Sequence, residues 1–167
     1  KVGTFAELAA DAEVAVLCVK GSVAEALVGS LTAELEGTVV LDTTNPIGSA
    51  PPVDGVLAWF TGPDESLLER LQAAAPGAHF VKAFNSVGAG RMVHPHYAEG
   101  RPSMFICGND PDARAVVGTL AAELGWEVED LGMASAARAI EPLCRLWCIP
   151  GFVNGEWTHA FKLLHAG

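Results

Sequence analysis

The sequence predicts an α/β fold in which helices flank a parallel sheet. Stretches with helical periodicity alternate with short apolar runs along most of the chain. These runs are continuously apolar rather than alternating, which is typical of strands covered on both faces. The 18 glycines among 167 residues also favour close packing of helices against a sheet. Together, the three observations predict one α/β domain with an ordinary hydrophobic core.

The first predicted element is a helix, because Thr4 and Glu7 have the spacing of a capping box. It ends near Ala12, and the apolar run at 14–19 predicts the first strand. The alternation then continues, with helices predicted at 23–35, 65–75 and 112–124 and strands at 38–42, 78–84, 104–107 and 126–130. Strands separated by helices in this way pair in parallel through right-handed crossovers.

Two segments depart from this alternation. Residues 48–62 contain Pro51, Pro52 and Gly55, which predicts either a loop over a site or a short extra strand. Residues 134–149 are apolar on nearly every side, so we expect a helix that is buried in the chain or at a subunit interface. The predicted division is therefore an α/β domain at 1–132 and a C-terminal helical segment at 133–167 that forms an interface.

Charge excludes two classes of partner. Ten basic and 20 acidic residues give a net charge of −10, which repels nucleic acid and anionic membrane surfaces. The apolar runs are too short to span a bilayer, and no charged-then-apolar leader opens the sequence. We expect a cytoplasmic protein that binds neither nucleic acid nor membranes.

Neither a metal site nor a catalytic residue is predicted. The four cysteines lack the paired spacing of a zinc site, although Cys144 and Cys148 lie one helical turn apart. His94 and His96 flank a proline, but each of these pairs offers too few ligands for a closed site. The spacing of Arg138 and Glu141 predicts a local ion pair on one helical face.

Polar residues and turn formers follow three of the predicted strands. In open parallel sheets, ligands bind beyond the carboxyl ends of the strands. The segments at these ends are 19–21, 42–46 and 82–86, and each could also be a simple turn. Asn45 and Asn85 each lie beside a small or apolar residue, and the two ends together could form the floor of a site for a flat heterocycle.

Four stretches of the sequence resemble the deazaflavin-dependent NADP reductase family and occur in the family's order. They are the segments LDTTNPI at 41–47, VKAFNSVG at 81–88, PSMF at 102–105 and AARAIEPL at 136–143. The resemblance implies an α/β fold with a Rossmann-like parallel sheet and flanking helices, followed by a C-terminal helical segment. It also implies hydride transfer between NADP(H) and coenzyme F420, a 5-deazaflavin, while relatives reduce flavins or metals.

The resemblance also implies a set of cofactor-binding residues. Val19 and Lys20 would lie along the dinucleotide, with Thr44 in the same site. The nicotinamide and its partner ring would be bordered by Asn45, Pro46, Ala83, Phe84 and Asn85. Hydride transfer requires stacked rings, a correct distance and exclusion of water rather than a dedicated acid and base. This requirement agrees with a sequence in which no nucleophile–base pair is found.

The family's N-terminal strand, glycine-rich turn and pyrophosphate-binding helix are not recognisable in the sequence. The nearest pattern, Gly88-Ala89-Gly90, follows the wrong strand and lacks a third glycine. We therefore expect a domain truncated at the N-terminus, with an unpaired edge on the strand at 14–19. NADP binding would then need a phosphate site from another segment or subunit. The alternative is a non-catalytic, dimerising module that has lost its cofactor.

Overall fold

The computed structural model describes residues 2–166 and contains the alternating helices and strands that the sequence predicts. The helices are α1 Phe5–Asp11, α2 Gly21–Gly29, α3 Leu67–Ala74, α4 Pro111–Glu123, α5 Ala137–Ile140 and α6 Pro142–Asn154. The strands are β1 Val14–Leu17, β2 Val39–Asp42, β3 His79–Lys82, β4 Ser103–Ile106 and β5 Glu127–Asp130. No helix within the described residues combines the length and hydrophobicity needed to cross a membrane.

The strands form two parallel groups. β1, β2 and β3 pair in that order, and β4 pairs with β5. The predicted α/β class with parallel pairing is therefore confirmed. A bridge between Lys82 and Cys107 joins the two groups, and this bridge is antiparallel. The alternation of helices and strands predicts one parallel series, so this antiparallel contact departs from the prediction.

β1 forms one edge of the three-stranded sheet in residues 2–166. Val16, in the middle of this strand, has 57% of its surface exposed. An apolar groove of about 410 Å³ runs beside β1 and is also lined by residues of α1 and α2. The edge is therefore both unpaired and apolar, as expected for the strand at 14–19.

Side-chain caps fix the starts of three helices. Thr4 and Glu7 form a capping box at α1, and Ser66 and Glu69 form a second one at α3. Asp110 accepts a hydrogen bond from the backbone of Ala113 at 2.7 Å and caps α4. α2 begins without a side-chain cap, which leaves the amides of its first turn available to a ligand.

Two core clusters cover the sheet. One contains Phe80 of β3 with the buried faces of α2 and α3, and it also takes in Ala137 and Ile140 of α5. The other contains Val81 of β3 with residues of β4 and α4. Neighbouring residues of β3 thus point to opposite sides, so the strand is covered on both faces, as its continuous apolar pattern predicts.

The two irregular segments take defined forms. Residues 48–62 fold back on themselves through isolated antiparallel bridges between Ile47 and Trp59 and between Val53 and Val56. α6 buries Cys144 and Trp147, but Leu146 on the same helix is 55% exposed. This helix is therefore only partly buried within residues 2–166, and the expectation that a subunit interface covers its exposed face stays a prediction.

Candidate functional site

A cavity of about 610 Å³ lies beyond the carboxyl ends of β1 and β2. This is the position at which parallel α/β sheets bind their ligands. The residues that line it follow the two strands directly and are Val19, Lys20, Gly21, Ser22, Thr43, Thr44, Asn45, Ile47, Gly48 and Ser49. The strand-end rule therefore located the cavity from the sequence.

The N-terminus of α2 forms one wall of this cavity. Gly21 is the first residue of the helix, and Lys20 before it provides no side-chain cap. Free amides at a helix N-terminus carry a partial positive charge and favour anionic groups. The ammonium group of the exposed Lys20 has the same sign. This wall is therefore suited to a phosphate or a carboxylate.

Gly21 allows α2 to approach the segment after β2 very closely. A Cβ atom at this position would lie 1.9 Å from the backbone oxygen of Asn45. No side chain tolerates such a distance, so glycine is required for this contact. The close approach sets the width of the cavity between the helix and the strand end.

Asn45 and Asn85 connect the ends of β2 and β3. The side-chain amide of Asn45 donates to the backbone oxygen of Asn85 at 2.8 Å, and Asn85 Nδ2 donates to Asn45 Oδ1 at 3.1 Å. Asn85 Nδ2 also donates to the backbone oxygen of Ile140 at 3.1 Å. This pair of asparagines therefore joins two strand ends and α5 at the edge of the cavity.

Ala83 and Phe84 lie in the hydrophobic core next to the site. Ala83 is fully buried, and the ring of Phe84 meets the ring of Trp126 edge to face with 6.0 Å between centroids. Phe84 has a φ of 57°, an unusual value for a residue with a side chain. This backbone conformation turns the chain at the end of β3 and directs Asn85 towards Asn45.

The structure brings together about half of the residues predicted for the cofactor site. Val19, Lys20, Thr44 and Asn45 line the cavity. Asn85 reaches it through its hydrogen bonds to Asn45, whereas Pro46, Ala83 and Phe84 are buried beside it. Residues not assigned from the sequence also line it, namely Gly21, Ser22, Thr43, Ile47, Gly48 and Ser49. Gly21 and Thr43 belong to the strand-end segments identified in the sequence, and the other four residues adjoin those segments.

A buried ionic cluster lies behind the cavity wall and consists of Asp42, Lys82 and Glu141, which we call the triad. Lys82 Nζ lies 2.5 Å from Asp42 Oδ2 and 3.0 Å from Glu141 Oε1, and it donates to the backbone oxygen of Thr44 at 2.7 Å. All three side chains are at most 1% exposed. Burial by itself would lower the pKa of Lys82, but the two facing carboxylates raise it above its ordinary value.

The predicted ion pair between Arg138 and Glu141 is wrong. Glu141 turns inward to Lys82 and accepts hydrogen bonds from the backbone amides of Leu67 and Leu68 at the start of α3, each at 3.0 Å. Arg138 instead pairs with Glu69, with 2.6 Å between Nη2 and Oε1. Partners from distant parts of the chain therefore replace the local contact that helical spacing predicts.

The cysteines are free in the structure. Residues 2–166 contain no group of three or more histidine, cysteine or acidic side chains arranged to hold a metal ion. Burial raises the pKa of Cys107 to about 12, so this thiol is protonated at neutral pH. A hydrogen bond from Cys144 lowers the pKa of Cys148.

The fold and the cavity at its strand ends define a Rossmann-type NAD(P)-binding oxidoreductase domain. Residues 1–46 match the family model described as NADP oxidoreductase, coenzyme F420-dependent. A crystal structure from Arthrobacter sp. FB24, of a protein assigned as an F420-dependent NADP-reductase, is 32% identical with a TM-score of 0.90. The similarity covers 98% of this chain and 74% of that one. The chain belongs to the coenzyme F420-dependent NADP oxidoreductase family.

More distant relatives share the fold. Protein SMa0349 from Sinorhizobium meliloti is 27% identical with a TM-score of 0.64, over 76% of this chain and 60% of that one. Rat metalloreductase STEAP3 is 28% identical over 125 residues, which are 72% of this chain and 24% of that protein. The chain thus spans about a quarter of the curated relative. An NADP-bound pyrroline carboxylate reductase from Plasmodium falciparum, 12% identical with a TM-score of 0.54, shows the fold alone.

Proposed function

We propose that the cavity beyond β1 and β2 binds NADP(H) and that the protein transfers a hydride between NADP(H) and a deazaflavin or flavin. The observation that carries this proposal is the position of the cavity, between an uncapped helix N-terminus and the linked asparagines at the strand ends. The anion-favouring wall suits the charged part of a dinucleotide, and the asparagine side suits a planar amide-bearing ring. Family membership supports the same cofactor class.

Each predicted residue has a place in this proposal. Val19 and Lys20 lie along the dinucleotide, and Thr44 with Asn45 forms the wall near the nicotinamide. Asn85 holds Asn45 in position through reciprocal hydrogen bonds. Pro46, Ala83 and Phe84 support these residues from the buried side. The chain orients the two rings and excludes water, and the bound cofactor supplies the hydride.

The hydride acceptor follows from the relatives by analogy. Coenzyme F420 is named in the description of the matching family, and a metal acceptor is implied in the name of the rat relative. Hydride transfer to a ring requires a second flat molecule beside the nicotinamide, whereas metals accept single electrons. We therefore place a deazaflavin or flavin first, with a metal reduced through that flavin as the further possibility.

Assembly and location are part of the same proposal. The protein acts as a cytoplasmic homodimer, and the 133–167 segment forms the interface as a unit distinct from the α/β domain at 1–132. The exposed Leu146, Phe152 and Val153 on α6 support this interface. The same surface favours the second candidate function, a non-catalytic dimerising module that has lost its cofactor.

The direct test is an assay of NADPH oxidation with coenzyme F420, FMN or FAD as acceptor. We expect turnover with at least one acceptor, and a loss of about tenfold or more in the Asn45→Ala variant. The exposed Asn154 at the end of α6 provides a matched control, so Asn154→Ala should retain activity. Binding of NADPH without turnover of any acceptor would contradict the proposed reaction, and absence of NADPH binding would favour the non-catalytic module.

A further inference from the structure

The triad places a net negative charge behind the cavity wall. It combines one ammonium group, Lys82, with two carboxylates, Asp42 and Glu141. Glu141 accepts hydrogen bonds from the amides of Leu67 and Leu68 and forms an ion pair with Lys82, and Asp42 accepts from the amide of Thr44. One ammonium group and two carboxylates give the triad a formal net charge of one negative unit.

The start of α3 offsets only part of this charge. The two amides that contact Glu141 belong to the first turn of this helix. A helix N-terminus is equivalent to about half a positive charge. About half a negative unit therefore remains, in a region that is almost completely buried and screened little by salt.

This charge lies close to the proposed nicotinamide site. Lys82 Nζ donates to the backbone oxygen of Thr44 at 2.7 Å, and Thr44 itself lines the cavity. The segment from Asp42 to Thr44 connects the triad directly to the cavity wall. A ligand beside Thr44 and Asn45 is thus separated from the triad by one layer of backbone.

We infer that the Asp42–Lys82–Glu141 triad makes the site bind the oxidised cofactor more tightly relative to the reduced one. The inference rests on the proposed function. When a hydride leaves NADPH, two electrons and one proton pass to the acceptor ring, and the nicotinamide gains one positive charge. The acceptor gains one negative charge, which a proton from solvent neutralises. The triad attracts the positively charged nicotinamide of NADP⁺ but not the neutral ring of NADPH. Bound NADPH is therefore a stronger hydride donor than NADPH in solution.

The experiment compares the dissociation constants of NADP⁺ and NADPH for the wild-type protein and two variants. Glu141→Gln and Asp42→Asn each remove one negative unit from a different side of Lys82. At a distance of roughly 10 Å and an effective dielectric constant of about 20, one charge changes an affinity by on the order of tenfold. We expect the ratio of Kd for NADP⁺ to Kd for NADPH to rise by about three- to tenfold in both variants.

Two controls separate charge from structural damage. Glu141→Asp shortens the side chain but keeps its charge, so the ratio should stay within about twofold of the wild-type value. Glu127 on β5 forms an exposed ion pair with Lys162, and Glu127→Gln, which removes one charge from it, should leave the ratio unchanged. Circular dichroism establishes that each variant is folded before its affinity is measured.

Each outcome decides between the two proposals. An unchanged ratio in a folded Glu141→Gln or Asp42→Asn variant overturns the inference while the proposed function stands. Failure of the wild-type protein to bind either cofactor form contradicts the proposed function itself. If neither variant folds, the ratio of Kd for NADP⁺ to Kd for NADPH in the wild-type protein tests the inference. A ratio above about ten, which means tighter binding of NADPH, contradicts a site that favours the nicotinamide cation.

Discussion

At the scale of single residues, Asn85 makes the contacts that hold the proposed nicotinamide wall. Both hydrogen-bond donors of its side-chain amide are used within the protein, by Asn45 and by the backbone of Ile140. The residue is 6% exposed, so water cannot replace these contacts. Loss of this side chain leaves a buried acceptor unpaired, and such a group costs more free energy than a hydrogen bond contributes.

The Asn85→Ala substitution should therefore destabilise the protein and weaken NADPH binding. We expect the free energy of unfolding to fall by about 1–3 kcal/mol. Urea denaturation followed by circular dichroism measures this change, with Asn154→Ala as a control that should stay within about 0.5 kcal/mol of the wild type. Equal stability of the two variants would show that the asparagine pair does not hold the strand ends together.

Lys82 should be far more important for stability than an exposed lysine. The Lys82→Met substitution leaves two carboxylates buried without a cation, and we expect a loss of about 3–5 kcal/mol in the free energy of unfolding. Lys162→Met breaks a surface ion pair with Glu127 and should cost about 0–1 kcal/mol. Chemical denaturation at neutral pH compares the two, and losses of similar size would argue against the triad as described.

The sequence predicted these residues unevenly, for physical reasons. Asn45 and Asn85 could be found, because the carboxyl ends of parallel strands are where ligands bind. The triad could not be found, because Glu141 contacts Lys82 from the junction of α5 and α6, far along the chain. Local helical spacing predicts Arg138 as the partner of Glu141 instead. Ala83 and Phe84 follow the end of β3 and lie in the same core cluster, and the positive φ of Phe84 has no signal in the sequence.

At the scale of elements, the cavity depends on the close approach of α2 to the segment after β2. Gly21→Ala would place a methyl group 1.9 Å from the backbone oxygen of Asn45. We expect a loss of about 1–3 kcal/mol in the free energy of unfolding, because the helix must move away. NADPH affinity should fall by about tenfold or more.

Gly29 at the other end of α2 provides the matched control for Gly21. A Cβ atom there meets nothing within 4 Å. Gly29→Ala should stabilise the protein by about 0.4–1 kcal/mol and leave NADPH binding unchanged. Thermal unfolding and NADPH titration of both variants test the contact, and wild-type affinity in a folded Gly21→Ala variant would contradict it.

Glu69 at the start of α3 should make the free energy of unfolding fall at acidic pH. The hydrogen bond from Arg138, together with those of Ser66, outweighs partial burial and lowers the pKa of Glu69 below its ordinary value of 4.5. A lowered pKa in the folded state contributes stability above the unfolded value and loses it as pH falls through the folded one. The wild type should therefore lose about 0.5–1 kcal/mol more than Glu69→Gln between pH 6 and pH 3, measured by urea denaturation. An equal loss in both proteins would contradict this role.

Local patterns predicted the elements better than their arrangement. The capping box at Thr4 and the continuous apolar strands are encoded within a few residues, and these elements lie where their patterns predict. The helix predicted at 23–35 instead ends at Gly29, because periodicity does not fix where a helix stops. The antiparallel bridge between Lys82 and Cys107 depends on the path of a long loop, and periodicity carries no information about it. An apolar face does not specify whether the same chain or another covers it, so burial of the exposed face of α6 at an interface stays a prediction.

At the scale of the whole molecule, the proposed homodimer depends on the exposed face of α6. Leu146→Glu should shift the protein from dimer towards monomer, because it introduces a charge into an apolar interface. Leu131→Glu, which changes a leucine that is 45% exposed outside the proposed interface segment, should leave the assembly unchanged. Sedimentation velocity measures both, and a Leu146→Glu variant that remains dimeric would place the interface elsewhere.

The central claim is that the cavity beyond β1 and β2 binds NADP(H), and a titration of the protein with NADPH tests it most directly. Cofactor fluorescence gives the affinity, and thermal unfolding shows whether the folded state is the one that binds. The account predicts a Kd on the order of micromolar, a raised Tm, and weakening of both effects in Gly21→Ala but not in Gly29→Ala. Absence of binding up to millimolar NADPH would contradict it.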